Sequence, residues 1–378
     1  MAAIRLGEVR GWLFDEALPL WSSAGLDILQ GGSVESLRAD GRDSTSPFKR
    51  TRVQARQVYA FSHARLMGWD GPGAQGADHC WRFLHEHARR GDGGWVRSLR
   101  PDGGVVDATM DAYDMAFVLY ALAWRARLGD PDAAVEAHAT LDALDAVLAT
   151  GMGWKAAEDN DACLQNPHMH LLEAFLELAA VTGHDRFFQA ASGIVRLFLD
   201  RILDPALGAF GEAFGPGWAP SSVQARKIEP GHQYEWVWLL CRASEVLGQN
   251  HFEAAEVLYR FAEERGRDPR TGLVCDTLTG PSLTPSSTHR IWPQTEALKA
   301  QIAMFEHRGL DTRTRMATIV QALLDDFLAG PPRGGWRDRL GEDQRPISGD
   351  MPASTLYHLV LAFSELIRAA PRLASAPA

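Results

Sequence analysis

A short glycine-centred segment returns six times along the chain, about every 60 residues, and helical periodicity follows each copy. The copies are Gly31-Gly32-Ser33-Val34-Glu35, Gly93-Gly94-Trp95-Val96, Gly151-Met152-Gly153-Trp154-Lys155, Gly208-Ala209-Phe210-Gly211-Glu212, Gly272-Leu273-Val274-Cys275-Asp276 and Gly334-Gly335-Trp336-Arg337-Asp338. A fixed period of this length marks one supersecondary unit used repeatedly, each copy burying its apolar face against its neighbours. In every unit the glycine segment reads as a turn-rich, short extended hairpin. A helix apolar on nearly all sides follows, beginning near Lys49, Thr109, Gln165, Gly231, Ile291 and Met351. A second helix carries charge along one face, as over 77–88, 131–149 and 251–265.

Six helix pairs with buried first members permit an open superhelix or a closed ring. An open array needs polar caps at its ends. Here unit one begins with the apolar run Val9-Arg10-Gly11-Trp12-Leu13-Phe14, and the chain ends on the equally apolar stretch 356–366. The expected fold is therefore all-α: an (α/α)6 barrel of six helix pairs, with short β-hairpin segments on one face. One domain over 1–370 is expected, with a flexible tail over 371–378. In such a ring the first helices line the inside, and their N-terminal ends share a face with the glycine loops.

That arrangement gathers polar residues lying more than 300 positions apart in sequence. Helix one opens with Arg52 and Arg56, helix two with Tyr113 and Asp114, and helix three with Asn166, His168 and His170. Helix four offers His232 and Glu235, helix five Trp292, Gln294 and Glu296, and helix six Tyr357 and His358. His232 and Glu235 are three apart, so both are expected on one side of the first helical turn, where the carboxylate would orient the imidazole. A lone buried histidine is usually a satisfied core residue. Three at equivalent helix starts, with Arg and Glu beside them, point instead to proton-transfer chemistry.

Composition narrows the classes. A formal charge of −10 argues against a nucleic-acid or anionic-membrane partner. No uncharged apolar run approaches a membrane span, and charges interrupt the first 20 residues, so neither anchor nor signal peptide is expected. Cys80, Cys163, Cys241 and Cys275 form no C-x-x-C pair, which suits a reducing cytoplasm. The 12 tryptophans against 6 tyrosines suit a sugar site as well as a packed core. A metal site built from histidines and a glutamate is a rival, although H-E-x-x-H is absent. So is a glycosidase, whose two carboxylates Asp114, Glu173, Glu235, Glu296 and Asp350 could supply. No phosphate loop or G-x-S-x-G elbow occurs.

Six motifs stand in order: Arg52-x-Gln54-x-Arg56-x-x-Tyr59-x-Phe61, Tyr113-Asp114-x-Ala116-Phe117, Asn166-x-x-Met169-His170-x-x-Glu173-Ala174, Gly231-His232-x-x-Glu235-Trp236, Trp292-Pro293-Gln294-Thr295-Glu296 and Tyr357-His358. Together, over roughly residues 8–370, they resemble the N-acylglucosamine 2-epimerase superfamily, and within it the D-mannose isomerase branch. The resemblance implies the same barrel and metal-independent proton transfer at C2 of a reducing sugar, with no cofactor. By it, His232 and His358 are the paired acid and base, supported by Arg52 and Glu235. His170, Tyr113, Asn166, Trp292, Gln294, Asp114 and Arg226 are expected to bind the sugar. The expected partner is a small monosaccharide, and the expected assembly a monomer or homodimer. D-mannose and D-fructose are the expected pair, with 2-epimerisation as the alternative.

Overall fold

The computed structural model describes residues 4–375. Among the described residues, twelve long helices alternate between an outer and an inner ring, and two short 3-10 turns lie in the loop before the eighth. In chain order they are α1 (6–23), α2 (Thr51–Leu66), α3 (Gly73–His87), α4 (Ala112–Arg127), α5 (Ala133–Leu148) and α6 (Gln165–Thr182). Then follow α7 (185–202), α8 (Pro230–Leu247), α9 (Phe252–Arg265), α10 (Ile291–Arg308), α11 (313–327) and α12 (Thr355–Ser375). Even-numbered helices are inner, because their sequences are apolar round most of the circumference. In α4 every side chain from Asp114 to Trp124 is buried. Each inner helix packs on the next, and α12 returns onto α2. The chain thus forms a closed (α/α)6 barrel.

The seam is sealed by the first outer helix. The apolar run 9–14 lies in α1, which packs on α12, with Trp12 edge-on to Phe363 at 5.8 Å between ring centroids. Trp21 stacks on Trp336 of the sixth glycine segment at 4.7 Å. The apolar face of the first helix is explained by this closure, since α1 and α12 bury each other.

Short strands tie the units together on one face. Lys49–Arg50, before α2, pairs with Ser98–Leu99 of the next unit; Cys163–Leu164 pairs with Ala213–Phe214, and Lys227–Ile228 with Leu278–Thr279. His289–Arg290 pairs with Arg339–Leu340, and Asp350–Pro352 returns to Ser36–Arg38 of unit one. Two helix starts differ from the sequence expectation for local reasons. Helix α4 starts at Ala112, not Thr109, because the Asp111 carboxylate caps it, accepting from the backbone N–H groups of Tyr113 at 2.8 Å and Asp114 at 3.4 Å. Helix α12 starts at Thr355, not Met351, because 350–352 is drawn into the closing strand pair. At the other end α12 runs on through Pro371 to Ser375, past the expected start of the tail. Residues 376–378 lie outside the described residues.

A recurring clamp explains the glycine segments. The fourth residue of four inner helices reaches up to the backbone of its own unit's segment. Gln54 accepts from the N–H of Ser33 at 2.6 Å and donates to its carbonyl at 3.0 Å. Gln233 does the same for Phe210 at 3.3 and 3.1 Å, and Gln294 for Val274 at 2.9 and 3.0 Å. In α6 the position is His168, whose Nε2 accepts from Trp154 N–H at 3.0 Å while Nδ1 donates to the Leu164 carbonyl at 2.9 Å. A Cβ on Gly153 would lie 2.4 Å from that Nε2, and its φ is +76°. Glycine is required there by the clamp and by the turn together.

Candidate active site

The clamp redefines one expected site residue. The sequence puts Gln294 among the sugar-binding groups, yet both ends of its amide are spent on Val274. Replacing it with Ala should therefore strand two buried backbone groups and cost about 1–3 kcal/mol of stability in urea unfolding. Turnover and KM of the folded fraction should stay near the parent's; a raised KM without lost stability would restore the binding role.

Inside the ring of clamps, the inner-helix starts bring His232 and His358 to one aromatic plate. Trp292, at the start of α10, lies between their helices, with ring centroids 5.0 Å from His232 and 5.5 Å from His358. The indole fits because residue 231 is glycine: a Cβ there would sit 2.5 Å from the Trp292 ring. Each imidazole is held through Nδ1 by its own glutamate. His232 Nδ1 is 2.8 Å from Glu212 Oε2, and His358 Nδ1 is 2.8 Å from Glu296 Oε1. Neither Nε2 has a protein partner among the described residues, so each ring keeps one nitrogen for a ligand.

The two histidines are driven in opposite directions. Burial opposes charge on His232, but the charge and hydrogen bond of Glu212, with Glu229 and Glu235 adding, lift it to about 9. Glu212 is itself firmly held. Gln165 Nε2 donates to it at 2.8 Å and the Glu229 N–H at 3.0 Å, and its own carboxyl is lowered by the neighbouring imidazolium against the cost of burial. His358 is pushed well below its ordinary value, first by burial and then by Arg56, Lys299 and His232. At neutral pH these surroundings favour a protonated His232 and a neutral His358.

Glu235 does not orient His232. Side chains at a helix start lean back towards the N-terminus. His232 accordingly reaches the loop residues Glu212 and Glu229, while Glu235 faces the barrel axis one turn deeper. There it lies 3.7 Å from His170 Nδ1, and neither oxygen has a hydrogen-bond partner. Burial, then Glu296, holds its carboxyl well above the usual range, with Lys299 opposing. His170 also lies 3.4 Å from Glu173, and burial lowers it to about 3. Glu173 accepts from the Tyr357 hydroxyl at 2.5 Å.

The arginines divide differently from expectation. Arg52 is neutralised by fully buried Asp114, with Nη1 3.2 Å from both carboxylate oxygens. Asp114 also accepts from the Arg52 backbone N–H at 3.0 Å, which makes it a support for Arg52. Arg56, one turn deeper, is only 5% exposed and has no carboxylate within 4.0 Å among the described residues. Its Nη2 donates to the Tyr113 hydroxyl at 2.7 Å, and its guanidinium covers the Phe117 ring at 4.0 Å. A buried cation with spare donors suits a ligand oxygen that gains negative charge.

Asn166 and Tyr113 line a cleft of about 470 Å³ with Arg97 and Asp111, and Asn166 Oδ1 is buried without a partner. Arg226 stands apart. It lies in a loop, 3.7 Å from Asp204, and shares a separate cleft of about 570 Å³ with Glu212. Sequence reasoning missed the roles of Glu212, Arg56, Glu296 and His168. Arg56 and Glu296 are residues of quoted motifs, His168 stands at an open position of one and Glu212 ends the fourth glycine segment, but only folding shows what they face. Among the described residues two groups have the spacing to hold a metal ion, His170 with Glu173 and Glu235, and His232 with Glu212 and Glu229.

The family model described as N-acylglucosamine 2-epimerase matches residues 31–362. The chain belongs to this epimerase family. Among its relatives, a protein named mannose-6-phosphate isomerase from Rhizobium meliloti (strain 1021) is 37% identical, over 96% of this chain and 97% of that protein. A D-mannose isomerase from Thermobifida fusca is 28% identical, over 86% of this chain and 90% of the relative. The solved cellobiose 2-epimerase from Bacillus thermoamylovorans B4167 superposes with a TM-score of 0.87 at 20% identity, over 96% of this chain and 98% of that one. This family member is therefore an enzyme of the sugar isomerase and epimerase class. No helix among its described residues is long and apolar enough to cross a membrane.

Proposed function

We propose that the protein is a D-mannose isomerase, converting D-mannose to D-fructose and back by proton transfer between C2 and C1. The observation that carries this reading is the pair of imidazoles on one tryptophan, each fixed by its own glutamate and shifted in opposite senses. Groups whose environments separate them in this way divide into an acid and a base. His232, protonated, donates to the ring oxygen as the C1–O5 bond breaks, and the anomeric hydroxyl gives up its proton to solvent as C1=O1 forms. His358 takes the C2 proton through Nε2. The C2–H electron pair becomes the C1=C2 bond, and the carbonyl pair moves to O1, giving a cis-enediolate. Arg56 and Arg52 supply donors for the charge on O1 and O2. Protonation at C1, with the O2 proton leaving, gives the ketose; protonation of C2 from the other face gives the 2-epimer instead.

Four cations of the loop face are already paired, which favours an uncharged sugar over a phosphorylated one. On the loop face Lys49 pairs with Asp27, Arg97 with Asp107, Lys227 with Glu229 and Arg339 with Asp276. A phosphate at any of these four would have to displace a carboxylate; exposed Arg290, just before α10, is a loop-face cation without an ion pair among the described residues. Incubation with D-mannose, D-mannose 6-phosphate and cellobiose in excess EDTA should yield fructose from free mannose alone. Glucose from mannose, or conversion of cellobiose, would mean a 2-epimerase. Conversion of the phosphate ester would move the substrate to the class named for the Rhizobium relative. Activity lost in chelator and regained with one divalent ion would assign a metal to the histidine–glutamate groups.

A further inference from the structure

Beneath His358 lies a charge for which sugar chemistry has no direct use. Lys299, three residues after Glu296 on α10, is wholly buried, and its Nζ is 2.6 Å from Glu296 Oε2. Among the described residues neither Nζ nor Glu296 Oε2 makes a hydrogen bond, so the two meet as an ion pair alone, and the ammonium rests on the Trp238 ring at 4.3 Å. Glu296 is equally inaccessible. Its two oxygens therefore serve two partners, Oε2 the lysine and Oε1 the Nδ1 of His358. A wholly buried lysine is costly unless it is needed to balance a charge. Here the balance is local: Glu296 is the carboxylate in contact, and Glu235 and Glu173 are the further acids that act on Lys299.

We propose that Lys299 is a positioning residue for His358: its ammonium keeps Glu296 ionised and turned, so that the carboxylate holds the Nδ1–H tautomer and leaves Nε2 as the basic nitrogen. Without that cation, a carboxyl buried beside Glu235 and Glu173 takes up a proton. A protonated Glu296 can donate to Nδ1, which moves the ring proton to Nε2 and removes the base. The reading deepens the acid–base assignment above and rests on it for the role of His358.

The groups facing His358 that bear on its titration are Glu296 and Lys299 from α10, Arg56 from α2 and His232 from α8. Lys299 acts on the acidic limb in two ways with one sign. Burial raises Glu296 and Lys299 is the leading influence against that rise, and Lys299 also lowers His358. Removing it raises both, so the acidic limb of kcat/KM must move to higher pH. Lys299→Met and Lys299→Gln are compared with Lys299→Arg, which retains the charge. Both neutral variants should lose at least tenfold at pH 6–7 and recover part of it as the pH rises. The arginine variant should keep the limb near the parent's. A lysine needed only for packing would change stability or kcat uniformly with pH.

The second readout is ring-tautomer NMR of 15N-histidine protein without sugar, which is independent of the identity of the substrate. In the parent, His358 should be the Nδ1–H tautomer across pH 6–8, and in Lys299→Met it should shift to Nε2–H. A parent ring already protonated at Nε2 overturns the proposal with no variant required. An unmoved acidic limb together with an unmoved tautomer in the neutral variants overturns it equally. A parent with the expected tautomer that fails to turn over mannose would sink the substrate assignment and leave the lysine's role standing.

Discussion

Replacing His358 with Ala should lower kcat on mannose by ~10²–10⁴ at neutral pH, with the barrel intact, and His232→Ala should cost a comparable factor. The fold should survive because His358→Ala leaves the Glu296–Lys299 pair intact, and in His232→Ala Glu212 loses its counter-charge but keeps two hydrogen-bond donors, Gln165 and the Glu229 N–H. Circular dichroism and urea unfolding check that half of the expectation. Turnover in D2O separates the two rings. The parent should place deuterium at C1 of fructose, and His358→Ala should abolish exchange at C2. In His232→Ala, exchange of a pre-opened aldehyde at C2 should persist while net turnover of the cyclic sugar falls. Near-parent turnover in His358→Ala would remove it from the role of base. C2-deuterated glucose from the parent would replace isomerisation with epimerisation.

Glu212→Gln should have the next largest effect, and its signature is in the pH profile. His232 stands at about 9 because Glu212 overcomes the burial that opposes its charge. The protonated donor is present below that pH and is lost above it, so the basic limb of kcat/KM for the parent should lie near 9. With Gln at 212 the leading raising influence goes and burial remains. The His232 pKa should then fall towards or below the ordinary imidazole value of about 6.5, carrying the basic limb down with it. At pH 8 the variant should be slower by roughly 10–100-fold, a loss of about 1.4–2.8 kcal/mol of transition-state stabilisation. A basic limb that stays near 9 would show that Glu212 does not set the donor. Glu235→Gln is the control, since Glu235 contacts His170 and makes only a minor contribution to His232.

These two experiments turn on residues that the sequence makes visible to different degrees. His232 and His358 can be picked out from the chain because the repeat places both at inner-helix starts, and a closed ring brings such starts together. Glu212 cannot be. It follows Gly211 in a loop, and its reach to His232 depends on Ala213–Phe214 pairing with Cys163–Leu164. Glu235 is the natural partner on spacing alone. A helix start, however, sends residue 232 back to the loops and leaves residue 235 facing the axis.

The architecture was determined by the sequence itself. A period of about 60 residues, with one helix apolar all round and one amphipathic per unit, has few ways to bury its surface, and a ring of six such pairs is one of them. The glycines follow from the same local logic once the clamps are seen. Tertiary structure decided the electrostatics. Whether Arg52 or Arg56 is the unneutralised cation depends on Asp114 arriving from the neighbouring helix. Which histidine carries a proton depends on Glu212 from a loop and on Lys299 behind Glu296. Such charges act over a few ångströms in a low-dielectric interior, and their spacing comes from the packing of different helices.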